Sequence, residues 1–314
     1  MTAPETRWRR GAAFARFSLA ELRALLQEDV LDAQPLIGGL RNSNYRVVLA
    51  GEPGRAVVRF YTNDDPLSCS REHAILKLIE GRVPAPRVLR SSPCADPPWS
   101  LLTWLDGVRY DEAHAHSPEA LAQSAGKTLA RIHAFEFEEA GFFGRNLEIT
   151  EPLTVEHGWA EWITGWLVRG RAGQRLGADL ARRILRFVDE HAAEMRQPHQ
   201  PKPVLVHADY KPWNLLVDAS SRICGVLDWE FSHAGSKLLD IGIFLRQRHS
   251  LAPAYEAAFE DGYRHAGGSL PLDWSRLSRL TDLICLVQLV DRDETEDPRR
   301  TADLRPLIEA TLGL

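Results

Sequence analysis

Two hydrophobic patterns follow one another along this chain and predict different kinds of secondary structure. Leucines fall on one helical face in residues 18–30, which begin with a Ser three residues before a Glu, the capping-box pattern of a helix start. Helical spacing returns at residues 68–80. Apolar runs rich in β-branched and aromatic residues predict strands at 45–49, 56–61, 83–89 and 99–105. The first hundred residues are therefore predicted to be mainly strands with two helices.

The pattern changes after Asp106 and Gly107. Helical spacing dominates the remainder, at 117–135, 159–168, 178–195, 251–266, 275–290 and 301–312. One island, residues 203–228, contains three short apolar runs instead, with a turn signal at 218–221 between the last two. A β-rich first unit followed by a helical unit with one embedded hairpin is an α+β fold. The predicted boundary divides the chain into residues 1–104 and 105–314.

Length and composition narrow the class of protein. At roughly 150 residues per domain, a chain of 314 residues also favours about two units. The 38 Lys and Arg against 43 Asp and Glu give a net charge of −5, so nucleic acid is not an expected partner. No apolar run is long enough for a leader or a membrane span, so no membrane partner is expected. The four cysteines form no CxxC pair, which fits reduced thiols in the cytoplasm.

The densest group of chemically useful side chains is residues 207–214, His-Ala-Asp-Tyr-Lys-Pro-Trp-Asn, with Asp228 fourteen residues beyond Asn214. Each polar residue borders an apolar run, so it is expected in a loop at a strand end. Phosphoryl transfer needs a carboxylate near the attacking hydroxyl and oxygen ligands for Mg²⁺. Asp209, Asn214 and Asp228 supply two carboxylates and one amide oxygen.

The spacing of His207, Asp209 and Asn214 matches the H-x-D-x-x-x-x-N catalytic loop of kinases, which is followed by a metal-binding Asp. From about Gly38 to Gly242 the sequence resembles the aminoglycoside phosphotransferase and choline kinase family, the small-molecule branch of the protein-kinase-like superfamily. The resemblance implies a bilobal protein-kinase-like fold, with Asp209 as the catalytic carboxylate and Asn214 and Asp228 as Mg²⁺ ligands. His207 is the second catalytic residue that the resemblance implies in this loop, and it is expected to hold the loop in place.

The resemblance also implies nucleotide-binding residues in the first unit. Gly38 and Gly39, with Asn42 and Ser43, lie between a helix and a strand, as does the family's phosphate-covering loop, whose backbone N–H groups can bind anionic oxygens. Arg59 stands where the third strand of the family carries its phosphate-contacting basic residue, more often Lys. Glu72 matches the acidic residue that pairs with it.

Residues 101–107 look like the family's interlobe hinge, where the main chain of Thr103 and Leu105 is expected to bond the adenine edge of ATP. Residues 126–133 resemble the helix that packs before the catalytic loop. Asp240 looks like the buried acid that steadies that loop.

These matches predict an ATP- and Mg²⁺-dependent kinase, monomeric or homodimeric, that phosphorylates a hydroxyl of a small molecule. The favoured acceptors are an aminoglycoside-like or other antibiotic, which implies a role in resistance, or a cationic amino alcohol. Acidic stretches at 106–112 and 291–297 are the hint of a cationic acceptor, with a solvated surface as their other interpretation. A metabolic kinase of choline, homoserine or a sugar is one alternative, and a catalytically silent kinase-fold binding protein is another. A protein kinase is disfavoured because Asp240 follows Asp228 within twelve residues, too few for a long activation segment.

Overall fold

The computed structural model describes Trp8 and residues 13–37, 39–62, 65–113, 117–153, 159–196, 200–247, 252–292 and 297–313. Gly38 of the predicted phosphate loop and residues 293–296 of the second acidic stretch lie outside the described residues.

A five-stranded antiparallel sheet forms the N-terminal part of the molecule. Its strands are β1 (Val30–Leu36), β2 (Ser43–Leu49), β3 (Arg55–Phe60), β4 (Val88–Ser92) and β5 (Trp99–Thr103). They lie in the order β1-β2-β3-β5-β4, with β1 and β4 at the edges. In β2 every second side chain is buried, as the alternation in its sequence predicts.

Two helices accompany this sheet, α1 (Leu19–Leu26) and α2 (Ser68–Ile79). The predicted capping box starts α1, because the Ser18 hydroxyl accepts from the Glu21 N–H while the Glu21 carboxylate accepts from the Ser18 N–H at 2.7 Å. The helix ends earlier than the spacing of leucines suggests, since Gln27 adopts a left-handed conformation and β1 begins three residues later. Strand β1 was not predicted from the sequence, because it is a mostly exposed edge strand without clear alternation.

The two helices cover opposite faces of the sheet. Leu101 packs in one core with Leu22 of α1, and its neighbour Leu102 packs in the other with Leu76 of α2. Successive residues of a strand point to opposite faces, so α1 closes the outer face and α2 lies on the face shared with the helical part. The polar side chains of the candidate site are found on this second face.

The C-terminal part is mainly helical. Its helices are α3 (Tyr110–Ala113), α4 (Pro118–Ile132), α5 (Trp159–Val168), α6 (Ala172–Leu176), α7 (Ala178–Glu190), α8 (Ala192–Arg196), α9 (Lys237–Phe244), α10 (Pro253–His265), α11 (Trp274–Asp291) and α12 (Pro298–Thr311). Its short strands are β6 (Val108–Arg109), β7 (Gly141–Phe143), β8 (Ile149–Pro152), β9 (Val204–Val206), β10 (Leu215–Val217), β11 (Ile223–Val226) and β12 (His233–Gly235). They form two small sheets, in the orders β11-β10-β6 and β8-β7-β12-β9.

Helices α4 and α10 approach each other very closely at two glycines. A Cβ atom on Gly126 would lie 2.1 Å from the Phe259 carbonyl oxygen, and one on Gly262 would lie 2.0 Å from the Gln123 carbonyl oxygen. Real Cβ atoms do not approach backbone oxygens this closely, so only glycine fits at either position. The contact fixes α4, which precedes the catalytic region in sequence, against the helical core.

The α+β architecture predicted from the sequence is confirmed, with a β-rich N-terminal sheet and a helical remainder that contains the β10–β11 hairpin. The division at residues 104 and 105 stays a prediction. Within the described part of the chain, none of the helices combines the length and the apolar character needed to cross a membrane.

Candidate active site

The predicted catalytic loop joins β9 to β10 and ends in a single 3-10 turn at Pro212–Asn214. His207 is fully buried at its start. Its Nδ1 accepts from the Asp209 N–H at 3.2 Å, and its Nε2 donates to the Leu227 carbonyl at 3.0 Å. Burial lowers the pKa of His207, so the ring is neutral and fits this pair of bonds. The imidazole therefore ties the loop to the end of β11, in keeping with the expectation that it holds the loop.

The loop is strained, and Asp240 on α9 stabilises it. Ala208 has a φ of 61°, a left-handed conformation that costs a non-glycine residue roughly 1 to 2 kcal/mol. The fully buried Asp240 carboxylate accepts from the N–H groups of Ala208 and His207, both at 2.7 Å. It also lies 3.2 Å from the Nε2 of His133 at the end of α4. These bonds lower the pKa of Asp240 although burial alone would raise it, so it is ionised.

Asp209, the predicted catalytic carboxylate, is partly exposed and has partners on both oxygens. The amide nitrogen of Asn214 donates to its Oδ2 at 2.7 Å and to its main-chain carbonyl at 2.9 Å. The ammonium of Lys211 lies 2.8 Å from its Oδ1. The carboxylate is thus held in one orientation at the surface of the catalytic loop.

Asp228, the predicted metal ligand, directly follows the β10–β11 hairpin. The Leu227 N–H donates to the Asn214 carbonyl at 2.8 Å, which brings Asp228 beside the catalytic loop. Asp228 itself has a φ of 69°, a second left-handed residue in this site. Its Oδ1 accepts from Arg59 Nη2 at 2.5 Å. Burial acts to raise the pKa of Asp228, but the charge and hydrogen bond of Arg59, with the Lys211 charge and the His207 ring, together lower it.

Arg59 on β3 is buried and joins three carboxylates. Besides Asp228, its Nε lies 3.0 Å from Glu72 Oε2, and its Nη2 lies 4.0 Å from Glu230 Oε1. Glu72 is fixed from two further sides, because it accepts from the Tyr61 hydroxyl at 2.6 Å and from the Trp229 N–H at 3.2 Å. Glu72 therefore orients Arg59 from α2 and is too enclosed to contact a nucleotide itself.

Asn42 and Glu230 form a buried contact between the predicted phosphate loop and the segment after the hairpin. The Asn42 amide nitrogen donates to Glu230 Oε2 at 2.9 Å, and Arg41 stacks over the Phe231 ring at 5.4 Å. Burial and the neighbouring Asp228 charge raise the pKa of Glu230 to about 7. The side chain of Asn42 is thus turned into the protein, which leaves its main chain as the group that can bind phosphate.

Ser43 does not lie where a phosphate-binding hydroxyl should. It is fully buried at the start of β2, and its Oγ accepts from the Ala15 N–H at 2.9 Å. The segment before α1 packs on this end of the strand, so the main chain of Ser43, and not its hydroxyl, is the part of the residue left for the predicted phosphate contact. Gly39 is exposed in the loop, as a backbone anion site requires.

Of the backbone groups of the predicted hinge, some bond within the sheet and others are available to a ligand. The Thr103 N–H donates to the Arg87 carbonyl at 2.9 Å, so only its carbonyl is left for an adenine. The Leu105 N–H makes no hydrogen bond to any of the described residues. A Cβ on Gly225 would lie 2.9 Å from Leu105 Cδ1 and 3.1 Å from Leu216 Cδ1, so the hinge packs directly on the hairpin.

A cavity of about 290 Å³ adjoins the hinge and is lined mainly by the loop between α2 and β4. Thr103 and Leu105 contribute to its wall, together with Cys224. Arg59, Asp209 and Asp228 do not line it, so it is distinct from the cluster of polar side chains described above.

The donor set fits a Mg²⁺ ion shared with a nucleotide. In the described residues no three His, Cys, Asp or Glu side chains form a complete metal site. Mg²⁺ bound with phosphates needs only one or two protein groups, since phosphate and water oxygens complete its shell. The Asn214 nitrogen faces Asp209, which leaves its Oδ1, and Arg59 holds Asp228 Oδ1, which leaves Oδ2. These two oxygens are the ones that would bind the ion.

The sheet, the catalytic hairpin and the Asp209, Asn214 and Asp228 arrangement define a protein-kinase-like small-molecule phosphotransferase. The sequence matches the phosphotransferase enzyme family over residues 32–280, and the chain belongs to this family. Both the family resemblance and the kinase class are confirmed. No curated protein matches the sequence.

Solved structures show the same fold at low sequence identity. Aminoglycoside phosphotransferase APH(4)-Ia superposes with a TM-score of 0.70 at 18% identity, covering 94% of this chain and 98% of that one. A putative fructosamine-3-kinase from Thermobifida fusca gives 0.64 at 21%, with 94% and 98% covered. A macrolide 2'-phosphotransferase from Brachybacterium faecium gives 0.64 at 17%, with 92% and 97% covered.

The structure adds residues that motif spacing did not single out. Lys211 lies inside the motif but has no role in the sequence-based prediction, although its position two residues after Asp209 was a visible signal. Glu230 stands two residues after Asp228, and its contact with Asn42 crosses 188 positions of sequence. No local pattern reports a contact of that separation.

Proposed function

We propose that this protein transfers the γ-phosphoryl group of ATP, with Mg²⁺, to a hydroxyl of a small molecule. The carrying observation is the convergence of Asp209, Asn214 and Asp228 with Arg59. Asn214 contacts Asp209 at 2.7 Å, and Arg59 reaches from the sheet to Asp228 at 2.5 Å. Residues of the sheet and of the catalytic hairpin thereby meet at one site, as a reaction at the end of a bound nucleotide requires.

Each group then has a defined role. The adenine would bond the Thr103 carbonyl and the Leu105 N–H, and the main chain of residues 39–44 would cover the phosphates. Arg59 would contact the phosphates from β3, oriented by Glu72.

Asp209 orients the acceptor hydroxyl and takes its proton as the new oxygen–phosphorus bond forms and the bond to the leaving ADP oxygen breaks. Mg²⁺ held by Asn214 and Asp228 would neutralise the phosphate charge. Positioning and charge neutralisation supply most of the rate enhancement in such a reaction.

The proposal allows more than one chemical class of acceptor. Relatives in fold include an aminoglycoside phosphotransferase solved with ADP and hygromycin B and a macrolide phosphotransferase, which favours an antibiotic-like or amino alcohol acceptor and a role in resistance. The fructosamine-3-kinase relative equally supports a metabolic hydroxyl compound.

The acidic stretches give little support for a cationic acceptor, because several of their carboxylates already have partners within the protein. Asp106 is paired with Arg55 at 3.0 Å, and Asp111 with Arg109 at 2.7 Å. Asp291 accepts from the Arg171 N–H at 2.6 Å.

An ATP-dependent reaction, together with four free cysteines, supports a cytoplasmic location. A monomer or homodimer remains the expected quaternary structure.

The test is ADP release over a panel of aminoglycosides, other antibiotics, choline, amino alcohols and sugars. Asp209→Ala and Asp228→Ala are expected to lower turnover at least about 100-fold, the lower range for loss of a positioned acid–base group, while leaving the fold intact. Asp179→Ala, at an exposed residue paired with Arg182, is the matched control. Wild-type turnover in either site variant would overturn the assignment. If ATP with Mg²⁺ fails to raise the melting temperature, the silent binding protein is favoured instead.

A further inference from the structure

A second cavity lies in the helical part of the molecule, between α9, α11 and α12, and the function proposed above does not use it. Its volume of about 60 Å³ is about four times what one water molecule requires, so a group of a few heavy atoms fits. Among the described residues, Arg246, Arg279 and Asp282 form its charged lining. The remaining lining is apolar, apart from Gly242 and the Thr311 hydroxyl. The lining therefore carries a net charge of one positive unit.

The carboxylate of Asp282 is occupied on both oxygens by Arg246. Nη2 of the guanidinium donates to Oδ1 at 2.7 Å, and Nε donates to Oδ2 at 2.9 Å. The two side chains are only 12% and 5% exposed, so water does not compete strongly for either group. The two charges of this bidentate pair offset each other, and the positive charge left in the cavity is that of Arg279.

The half-buried Arg279 side chain has no partner in the part of the chain that the structure describes. It makes no hydrogen bond or ion pair there, and its Nε is buried without an acceptor. Burial lowers the pKa of Arg279, although the charge of Glu256 acts in the opposite direction. Burial removes part of the hydration of the guanidinium, and no protein group replaces it. A ligand with a single negative charge would supply the missing interaction.

The cavity lies close to the catalytic loop. Cys285 of α11 and Ala208 of the loop pack on the same apolar cluster of β9 and α9. Asp282, which lines the cavity, precedes Cys285 by three positions on α11, a spacing that puts the two Cβ atoms about 5 to 6 Å apart. Burial raises the pKa of Cys285 to about 12, and the charges of Asp282, Arg246 and Asp209 are among those that act on the same thiol. A molecule whose hydroxyl lies at Asp209 can therefore reach the cavity with a second group.

We propose that this cavity binds a carboxylate of the phosphoryl acceptor, with Arg279 as its main partner. A carboxylate is planar, presents two oxygens to a guanidinium and brings the one negative charge that the lining lacks. A phosphate is bulkier and carries more charge than the lining offsets. The inference rests on the proposed function and narrows the acceptor to a molecule with both a hydroxyl and a carboxylate. Of the acceptors named above, homoserine has both groups, whereas choline and simple sugars lack the carboxylate.

The experiment measures kcat/KM by ADP release for matched pairs of acceptors in which the second member lacks the carboxylate. The pairs are homoserine and aminopropanol, glycerate and glycerol, and glucuronate and glucose. The wild-type protein should prefer the acid in at least one pair. Arg279→Gln should lower kcat/KM for that acid about tenfold to a hundredfold, the value of a hydrogen bond between charged groups, and for its partner less than about twofold. Arg183→Gln, which removes an exposed arginine of α7, is the control and should change neither.

A binding measurement tests the cavity without turnover. Sodium acetate at about 100 mM should raise the melting temperature by about 2 °C relative to sodium chloride of equal ionic strength. The difference should be lost in Arg279→Gln, which removes no contact with a described residue and should fold, and kept in Arg183→Gln.

Three results overturn the inference and leave the proposed function standing. They are equal kcat/KM within every pair, an equal loss for both members of the preferred pair in Arg279→Gln, and equal melting temperatures of the wild-type protein in acetate and chloride. A shift by acetate without any preference in turnover assigns the carboxylate to a separate ligand and so also overturns the assignment to the acceptor. A protein that releases ADP neither with these pairs nor with the wider panel overturns both proposals.

Discussion

The clearest quantitative prediction concerns Asp240, the buried carboxylate under the catalytic loop. It accepts from the Ala208 and His207 N–H groups at 2.7 Å each and lies 3.2 Å from His133 Nε2. The Tyr263 hydroxyl lies 2.8 Å from the other nitrogen of that imidazole, so His133 is fixed from both sides. Substitution of Asp240 therefore acts on a set of bonds with no access to water.

The expected cost follows from which of these bonds each variant keeps. A hydrogen bond to a charged group contributes about 1.5 to 3 kcal/mol. Asp240→Asn retains one acceptor oxygen, which is best placed at the Oδ2 position, where two of the donors lie. The bond to the Ala208 N–H is then lost, so the free energy of unfolding should fall by about 2 kcal/mol. Asp240→Ala leaves two backbone N–H groups and an imidazole without an acceptor, which should cost about 3 to 5 kcal/mol.

Urea unfolding followed by tryptophan fluorescence measures both values. The Asn variant should remain folded, and its turnover should fall as well because Ala208 loses the bond that holds its left-handed backbone. Asp179→Asn, at an exposed residue in the first turn of α7, should change the free energy of unfolding by less than about 0.5 kcal/mol. The reasoning is refuted if Asp240→Asn costs no more than this control, or if the Ala variant is no less stable than the Asn variant.

Two further predictions concern the same region. Ala208→Gly should raise the free energy of unfolding by about 0.5 to 1 kcal/mol, because relief of left-handed strain exceeds the added entropy of glycine in the unfolded chain. Ala257→Gly, at an exposed position of α10, should instead lower the free energy of unfolding in the same urea assay. If both glycine variants are less stable than the wild-type protein, the argument is contradicted. Burial lowers the pKa of His133, His207 and His233 below the ordinary value of 6.5, so below that pH the unfolded chain binds more protons than the folded one. The raised pKa of Glu230 acts in the opposite direction over the same range, but three imidazoles outweigh one carboxyl. Stability should therefore fall as the pH is lowered from about 7.5 to about 5.5, and a flat or rising urea midpoint would contradict this.

Sequence reasoning succeeded for the elements whose signal is local. Helices with clear spacing, such as α5 at Trp159–Val168, appear where the pattern predicts them. Strands β7, β8 and β12 were missed because each has only three or four residues and is defined by its pairing with distant partners. Their register comes from tertiary contacts, which periodicity does not report.

The same distinction applies to the candidate site. Asp209, Asn214 and Asp228 belong to a short motif on one hairpin, so their spacing was enough to bring them together. The burial of the Ser43 hydroxyl was not predicted, because the segment that covers it, at Ala15, lies 28 positions earlier in sequence. Its side-chain environment depends on how that segment folds over the sheet, and no residue near Ser43 encodes it.

Arginine at position 59 makes two contacts that a lysine could not make in the same way. Its Nε contacts Glu72 on α2 while its Nη2 contacts Asp228 beyond the hairpin, so one planar fork joins the sheet to the catalytic segment. A lysine offers a single nitrogen for both carboxylates. With Glu230 also near, three carboxylates surround one guanidinium, and a divalent cation held by Asp228 would offset the excess of negative charge. Arginine at position 59 thus connects the sheet to the segment after the hairpin more firmly than a lysine could.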